Sequence, residues 1–202
     1  MIKLRSYAKI NLYLDIKEKL DNGYHGIETL FQTISLFDEI IIRKINEPIY
    51  QIGCNNPLVP VGKDSIVYQA VELLIKDYNF GVDIKINKQI PIAAGLGGGS
   101  SNVASVIMGI CKLFKLPVKP SQLREIVLGL GMDIPFFFER GTVYAEGRGE
   151  ILYPILTTGK PLQILLVNPG INISTKWAYD AFDREKMDNF KKMRIDIDSY
   201  LN

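Results

Sequence analysis

Polar and apolar residues alternate near the start of the chain. The polar positions include Tyr7, Lys9 and Asn11, and the apolar positions between them are Ala8, Ile10 and Leu12. A two-residue period predicts a β-strand, here over Ser6–Ile16. A turn signal follows at residues 21–23, and we expect Tyr24–Gly26 to continue that loop. The Ile- and Phe-rich stretch Thr33–Arg43 predicts a second strand.

Apolar residues recur at helical spacing further along the chain. This spacing predicts the following helices: Ile66–Leu74 with Asp64 or Ser65 as its cap, one that starts near Asn102, Gln122–Leu130 capped by Ser121 and ended by Gly131, and one around Lys176–Phe182. Short strands are predicted at Val82–Ile86, Gly141–Glu146 and Leu162–Val167. A change in composition near Thr157–Pro161 predicts a boundary between two lobes.

Composition narrows the class of protein. The chain has 202 residues, 47% of them hydrophobic and 23% charged, which is typical of a soluble globular protein. Its formal net charge of +2 gives no reason to expect nucleic acid or a membrane surface as a partner. Cys54 and Cys111 match no zinc or redox spacing, and we expect reduced thiols. With no signal-peptide pattern and only short apolar runs, we expect a cytoplasmic location.

The most informative segment is the glycine-rich stretch Pro91–Asn102. Its glycines, at positions 95, 97, 98 and 99, leave the backbone free to turn consecutive N–H groups toward an anion. A helix follows directly, so its positive end adds to the attraction for phosphate. Ser100 and Ser101 supply hydroxyl groups at the same place. We name this segment the phosphate loop.

Two common phosphate-binding motifs do not fit the phosphate loop. No Lys-Ser or Lys-Thr pair follows the last glycine, so it is not a Walker A motif. The acidic residue that binds ribose in a dinucleotide-binding unit is missing at the expected distance. A flexible hinge or a tight strand-to-helix turn is the alternative interpretation.

Two further residues are candidates for catalysis. Alternation places Lys9 and Asn11 on one face of the first strand. Asp133 lies beside an apolar run, where an unpaired carboxylate is costly to bury, so we expect a cationic partner. A solvated strand lysine and a turn or cap aspartate are the alternatives. His25, the only histidine, is the remaining titratable candidate, with a structural role as its alternative.

These segments together resemble the motifs of the GHMP kinases, in the same order. The resemblance rests on Ala8–Leu12, Gly23–His25, Pro91–Asn102 and Gly131–Phe137. The Gly-Leu-Gly-Gly-Gly-Ser-Ser form is most similar to the branch that phosphorylates a cytidine diphosphate methylerythritol, and less so to mevalonate or homoserine kinases. The resemblance implies an α+β fold of two lobes. Residues 1–156 would form a ribosomal-protein-S5-like lobe that binds ATP, and 157–202 part of a ferredoxin-like substrate lobe.

The resemblance also implies roles for individual residues. Asp133 would be the general base and Lys9 would orient the acceptor hydroxyl. Tyr24 would stack on cytosine, His25 would hydrogen-bond its edge, and Tyr179, with Trp177 as the alternative, would cover the other face. Asn11 joins these substrate-binding residues. ATP, with Mg²⁺, would contact the following residues: Asp64, Ile66, Lys88, Pro91, Ala94, Gly95, Leu96, Gly97, Gly98, Gly99, Ser100 and Ser101.

The resemblance ends near Phe182. Family members continue for roughly another 80–100 residues, a size that suits a complete second lobe. That part carries a second glycine-rich loop, which has no counterpart after Gly170. We therefore expect a truncated chain with exposed apolar surface.

Two alternatives to an active cytidine-compound kinase stay open: a weakly active fragment that binds nucleotide or cytidine, and a GHMP kinase for another small alcohol. The chain is expected to be a monomer or a homodimer.

Overall fold

A mixed sheet of six strands forms the frame of the molecule. The computed structural model describes residues 1–21, 23–76, 78–171 and 173–185. The strands are β1 (Ile2–Lys19), β2 (His25–Ile45), β3 (Tyr50–Cys54), β4 (Gly81–Asn87), β5 (Thr142–Glu146) and β6 (Ile151–Ile155). β2 lies at the centre: it pairs with β1 along one edge, while β4 and β5 share its other edge. Every pairing is antiparallel except that of β3 with β4.

Helices cover one face of this sheet. They are α1 (Ile66–Ile75), α2 (Gly98–Phe114), α3 (Pro120–Leu128) and α4 (Phe136–Glu139), with α5 (Thr175–Glu185) later in the chain. α2 packs against β1, β2, α1 and α4 and is buried along most of its length. The core between helices and sheet contains Phe31, Ile40, Ile42, Val103, Ile107 and Phe136. The expected α+β class is confirmed.

Several predicted boundaries are wrong in detail. α2 begins at Gly98 and not near Asn102, so the last glycines of the phosphate loop form its first turn. α3 begins at Pro120 after Lys119, which replaces Ser121 as the cap, and it ends before Gly129. β2 begins at His25, so this residue belongs to a strand and not to the preceding loop. Ser65, one of the two predicted caps of α1, accepts a hydrogen bond from the Tyr68 amide.

The strand predicted over Leu162–Val167 is absent, and residues 156–171 form neither helix nor strand. β3 and β6 were not predicted. The predicted lobe boundary between residues 156 and 157 stays a prediction, and most of the charged tail 184–202 lies outside the described residues. Within the described part of the chain, no helix combines the length and apolar character needed to cross a bilayer.

Candidate active site

The phosphate loop opens onto a cavity of about 410 Å³ between α1, β4 and the start of α2. The first hydrogen bond within α2 joins the Ser101 amide to the Gly97 carbonyl at 2.8 Å. The amides of Gly98, Gly99 and Ser100 therefore precede the helical bonding pattern, as the first N–H groups of any helix do. Gly95 and Gly97 have φ of 72° and 66°, values that favour glycine. This geometry suits an anion at the helix N-terminus.

The cavity brings together residues that are distant in sequence. Every residue predicted to contact ATP lines it except Ser101. The Ser101 hydroxyl is buried and donates to the Tyr7 carbonyl at 2.6 Å, so it faces the sheet and not the cavity. The sequence interpretation missed the apolar wall Leu58–Pro60, which also lines this space. Only its proline gave a local signal, and that signal indicates a turn and not a ligand.

Lys88 lines the cavity, but most of its side chain is buried. Its side chain is only 6% exposed, and its Nζ lies 2.5 Å from Oδ2 of Asp38 on β2. A Cβ added to Gly98 would lie 2.9 Å from this Nζ, so the ammonium sits directly behind the first turn of α2. Asp38 was missed because its contacts are with residues 50 or more positions away.

Lys9 and Asp133 meet beside the phosphate loop. Lys9 Nζ lies 3.4 Å from Asp133 Oδ2, and the lysine side chain is 7% exposed against 37% for the aspartate. The expected cationic partner of Asp133 is therefore present, and the carboxylate is open to a substrate. An irregularity in the pairing of β1 with β2 after Tyr7 sets the position of Lys9. At this irregularity the Lys9 amide donates to the Leu96 carbonyl at 3.0 Å, which ties the strand to the loop.

A short chain of hydrogen bonds fixes the Lys9 ammonium. Lys9 Nζ donates to Asn11 Oδ1 at 2.7 Å, and Asn11 Nδ2 donates to Thr29 Oγ1, also at 2.7 Å. The Thr29 hydroxyl in turn donates to the Tyr13 carbonyl at 2.6 Å. The predicted pairing of Lys9 and Asn11 on one strand face is confirmed. Thr29 was missed because one threonine in a strand carries no signal of its own.

The residues predicted to hold cytosine lie at the far end of the β1–β2 hairpin. His25 Nε2 lies 2.6 Å from Asp183 Oδ1 on α5, and the Tyr179 ring stacks on the His25 ring with centroids 5.2 Å apart. Tyr24 is exposed, and the Arg148 guanidinium lies 5.5 Å from its ring centroid. The structure thus brings Tyr179 against His25, whereas Tyr24 faces Arg148.

Tyr179 also lies within electrostatic range of Asp133. Burial, and after it the negative charge of Asp133, raise the pKa of the Tyr179 hydroxyl above its ordinary value. α5 therefore lies close enough to Asp133 for the two side chains to interact electrostatically. The predicted alternative, Trp177, is 58% exposed and forms no ring contact among those described.

A larger cavity of about 1370 Å³ lies on the sheet face away from the helices. Tyr13, Leu30 and Tyr144 line it from the sheet, and residues 155–164 line it from the other side. None of the predicted site residues lines it. Among the described residues, no group of three or more His, Cys, Asp or Glu side chains is arranged to hold a metal ion.

Several known proteins are similar to this chain in sequence. Residues 65–141 match the family described as GHMP kinases N terminal domain. The 4-diphosphocytidyl-2-C-methyl-D-erythritol kinase of Thermoanaerobacter pseudethanolicus is 42% identical over 185 residues, which are 91% of this chain and 63% of the relative. The kinase of the same name from Lachnospira eligens is 38% identical, over 99% of this chain and 68% of the relative. The chain thus spans less than two thirds of the length of several curated relatives that it matches.

Solved structures of kinases are also similar to this chain. A crystal structure of 4-(cytidine 5'-diphospho)-2C-methyl-D-erythritol kinase superposes with a TM-score of 0.76 at 29% identity, over 99% of this chain and 70% of the other. A crystal structure of mevalonate kinase superposes with a TM-score of 0.54 at 16% identity, over 71% of this chain and 53% of the other. The second likeness concerns the fold alone.

Proposed function

Because the chain belongs to the 4-diphosphocytidyl-2-C-methyl-D-erythritol kinase family of GHMP kinases, we propose that it is a small-molecule kinase. Its reaction would transfer the γ-phosphoryl group of ATP to the 2-hydroxyl of 4-diphosphocytidyl-2-C-methyl-D-erythritol. The observation that carries the proposal is the Lys9–Asp133 pair, 3.4 Å apart, beside a loop with helix N-terminal amides. Together these provide the two things that phosphoryl transfer to an alcohol needs: a base and a cradle for phosphate.

In this proposal Asp133 takes the proton from the acceptor hydroxyl. The alcohol oxygen then forms a bond to the γ-phosphorus while the bond to the β–γ bridging oxygen breaks, and ADP leaves. Lys9 stabilises the negative charge that develops on the oxygens. Because Asn11 holds the Lys9 ammonium at 2.7 Å, this cation needs little rearrangement during the reaction.

The nucleotide would occupy the cavity beside the phosphate loop, with its phosphates toward the amides of Gly98, Gly99 and Ser100. The adenine would lie toward Asp64, Ile66 and the apolar wall Leu58–Pro60. Mg²⁺ keeps several waters and takes few protein ligands beside phosphate oxygens. The Ser100 hydroxyl, which lines the cavity, is an oxygen group that suits it, directly or through water. When bound, Mg²⁺ neutralises charge on the β- and γ-phosphates.

The cytidine end would use the exposed ring of Tyr24 and the stacked pair of His25 and Tyr179. Stacking a base on an aromatic side chain contributes about 1–3 kcal/mol. Since Tyr179 also lies near Asp133, α5 would connect recognition of the base to the reacting hydroxyl. A cytoplasmic location and a monomeric or homodimeric state are parts of the same proposal.

A coupled assay of ADP release tests the proposed function. The folded chain is supplied with MgATP and one acceptor at a time: the cytidine compound, mevalonate or homoserine. We expect ADP release with the cytidine compound, and a fall of about 10²–10⁴-fold when Asp133→Asn removes the base. Asp83→Asn on β4, outside both cavities, is the matched control and should keep its activity.

Three other outcomes of this assay would contradict parts of the proposed function. Preference for mevalonate or homoserine would show a kinase of another specificity. Full activity in Asp133→Asn would overturn the catalytic role of Asp133. Nucleotide binding without any ADP release would leave only a binding fragment.

A further inference from the structure

A largely buried charged pair lies behind the phosphate loop. Asp38 on β2 has no exposed surface, and its partner Lys88 is 6% exposed. Burying two charges carries a large desolvation cost, which is offset only when the remaining hydrogen-bonding positions are also filled. The proposed reaction does not use Asp38 directly, so the contacts of this carboxylate must explain its presence.

Both oxygens of the Asp38 carboxylate are hydrogen-bonded. Oδ1 accepts from the backbone amides of Gln89 at 2.7 Å and Ile90 at 2.9 Å. Oδ2 accepts from Lys88 Nζ at 2.5 Å and from Asn102 Nδ2 at 2.9 Å. Gln89 and Ile90 immediately precede the phosphate loop at Pro91, and Asn102 is its last residue. One carboxylate therefore holds both ends of the loop.

The same contacts direct the Lys88 ammonium toward the loop. Its Nζ lies 3.3 Å from Asn102 Oδ1 and would lie 2.9 Å from a Cβ added to Gly98. The cation is thus on the side of the pair nearest to the helix amides that would bind phosphate. Asp38 is on the far side, at β2, where it offsets the charge of Lys88 without facing the cavity.

We propose that Asp38 is a positioning residue for phosphate binding, acting through Lys88 and through both ends of the phosphate loop. This inference rests on the proposed function, because it takes the loop to be the site of the nucleotide phosphates. A loop that is held in its binding conformation before the ligand arrives loses less entropy on binding. Removal of Asp38 releases both ends of the loop and leaves Lys88 without its carboxylate. The loss should therefore fall on the phosphates and not on the nucleoside.

Titrations with ADP and with adenosine separate these two parts of the ligand. Both are followed by amide chemical shifts, which report affinities down to the millimolar range, on wild type and on Asp38→Asn. Hydrogen bonds to charged groups are strong enough that we expect ADP to bind about 10–100-fold more weakly to Asp38→Asn. Adenosine should bind with an affinity changed less than about twofold, because its contacts lie away from the Asp38 carboxylate.

A double variant, Asp38→Asn/Asn102→Asp, tests the mechanism through an exchange of partners. The new amide at position 38 is not charged, but its side-chain oxygen can still accept from the amides of residues 89 and 90. Its side-chain nitrogen donates to the new carboxylate at position 102. Lys88 Nζ loses its acceptor at position 38 and must turn to the same carboxylate, since it already lies 3.3 Å from Asn102 Oδ1 in the wild type. That carboxylate faces Lys88 and can accept from the Ser6 hydroxyl, which lies 2.9 Å from Asn102 Nδ2 in the wild type. We expect the exchange to restore ADP binding to within about fivefold of wild type.

Asn102→Ala is the milder variant, because it removes one contact each of Asp38, Lys88 and Ser6 and no charge. It should speed hydrogen exchange at the loop amides and weaken ADP binding several-fold, with adenosine unaffected. If Asp38→Asn does not fold, this variant decides the question. Equal losses for ADP and adenosine, or unchanged affinity for both in folded variants, would overturn the role of Asp38. A wild-type chain that binds neither ligand would instead overturn the proposed function on which this inference rests.

Discussion

At the residue scale, Gly97 determines how closely the phosphate loop approaches the catalytic pair. Its φ of 66° lies in the left-handed region. A Cβ at this position would lie 2.6 Å from Phe137 Cζ and 3.1 Å from Lys9 Cγ. The absence of a side chain is therefore required twice, once by the backbone and once by its neighbours. Because Lys9 is one of these neighbours, the same contact links the loop to the catalytic lysine.

Gly97→Ala should destabilise the protein more than Gly95→Ala does. Both glycines have positive φ, but a Cβ at Gly95 would meet nothing within 4 Å. The backbone strain of about 1–2 kcal/mol is common to both variants. The clash at Gly97 should add about 1–3 kcal/mol, as overpacking of a filled site does. Urea unfolding measures the difference, and equal losses in the two variants would show that Phe137 does not restrict the loop.

Single residues also show what the sequence reveals about the site. Lys9 and Asp133 were recognised because each lies within a local motif. Asp38 and Thr29 have no such motif, and their importance arises from partners that the fold supplies. Asp38 had one usable signal, which is an acidic residue within a strand otherwise rich in Ile and Phe. Such a residue needs partners when it is buried, but the sequence does not say which ones.

At the element scale, one carboxylate on α5 binds two side chains of the β1–β2 hairpin, beside the stacked rings of Tyr179 and His25. Asp183 Oδ2 lies 2.7 Å from Lys19 Nζ, and its Oδ1 lies 2.6 Å from His25 Nε2. Hydrogen bonds from Lys19 and then from His25 lower the pKa of the Asp183 carboxyl below its ordinary value of 3.8. This interaction therefore stabilises the docked helix above the ordinary pKa. It is lost as the pH falls through the lowered value.

The docking of α5 should accordingly persist from neutral pH to about pH 4 and weaken below it. Trp177, the only tryptophan, lies on α5 and reports its mobility through fluorescence anisotropy. Asp183→Asn should lower the anisotropy already at pH 7. Asp83→Asn on β4, which removes the same charge opposite Arg43 at the other end of β2, is the control. Unchanged anisotropy in Asp183→Asn would show that other contacts hold α5.

The elements also show where pattern-based prediction succeeds. The alternation in β1 and the apolar stripe in α2 identify long elements whose pattern repeats many times. β3 has only Tyr50–Cys54 and depends on its parallel pairing with β4, which no local pattern encodes. For residues 162–167, by contrast, the sequence predicts a strand that the structure does not contain. They have strand-forming side chains but no partner strand among the described residues, and strand propensity alone does not make a strand.

At the scale of the whole molecule, exposed apolar residues are concentrated after β6. Leu156 is 98% exposed, Leu165 89% and Val167 80%. The same stretch borders the cavity of about 1370 Å³ on the sheet face away from the helices. Exposed apolar surface of this kind favours association.

We therefore expect self-association at high protein concentration, measured by sedimentation equilibrium. Leu165→Ser should weaken this association about 10–150-fold, since burying one leucine contributes on the order of 1.5–3 kcal/mol. Leu73→Ser on the exposed side of α1 is the matched control and should leave it unchanged. A monomer at all concentrations, or equal effects of both variants, would contradict this expectation.

A kinase transfers the phosphoryl group to the alcohol, whereas an ATPase transfers it to water. ³¹P NMR of a reaction with MgATP and 4-diphosphocytidyl-2-C-methyl-D-erythritol distinguishes the two directly. We expect a new phosphomonoester resonance, correlated with the methylerythritol 2-position, that grows as the γ-phosphate of ATP disappears and grows about 10²–10⁴-fold more slowly with Asp133→Asn. Inorganic phosphate as the only product, or a phosphomonoester that Asp133→Asn forms at the wild-type rate, would overturn the proposed transfer.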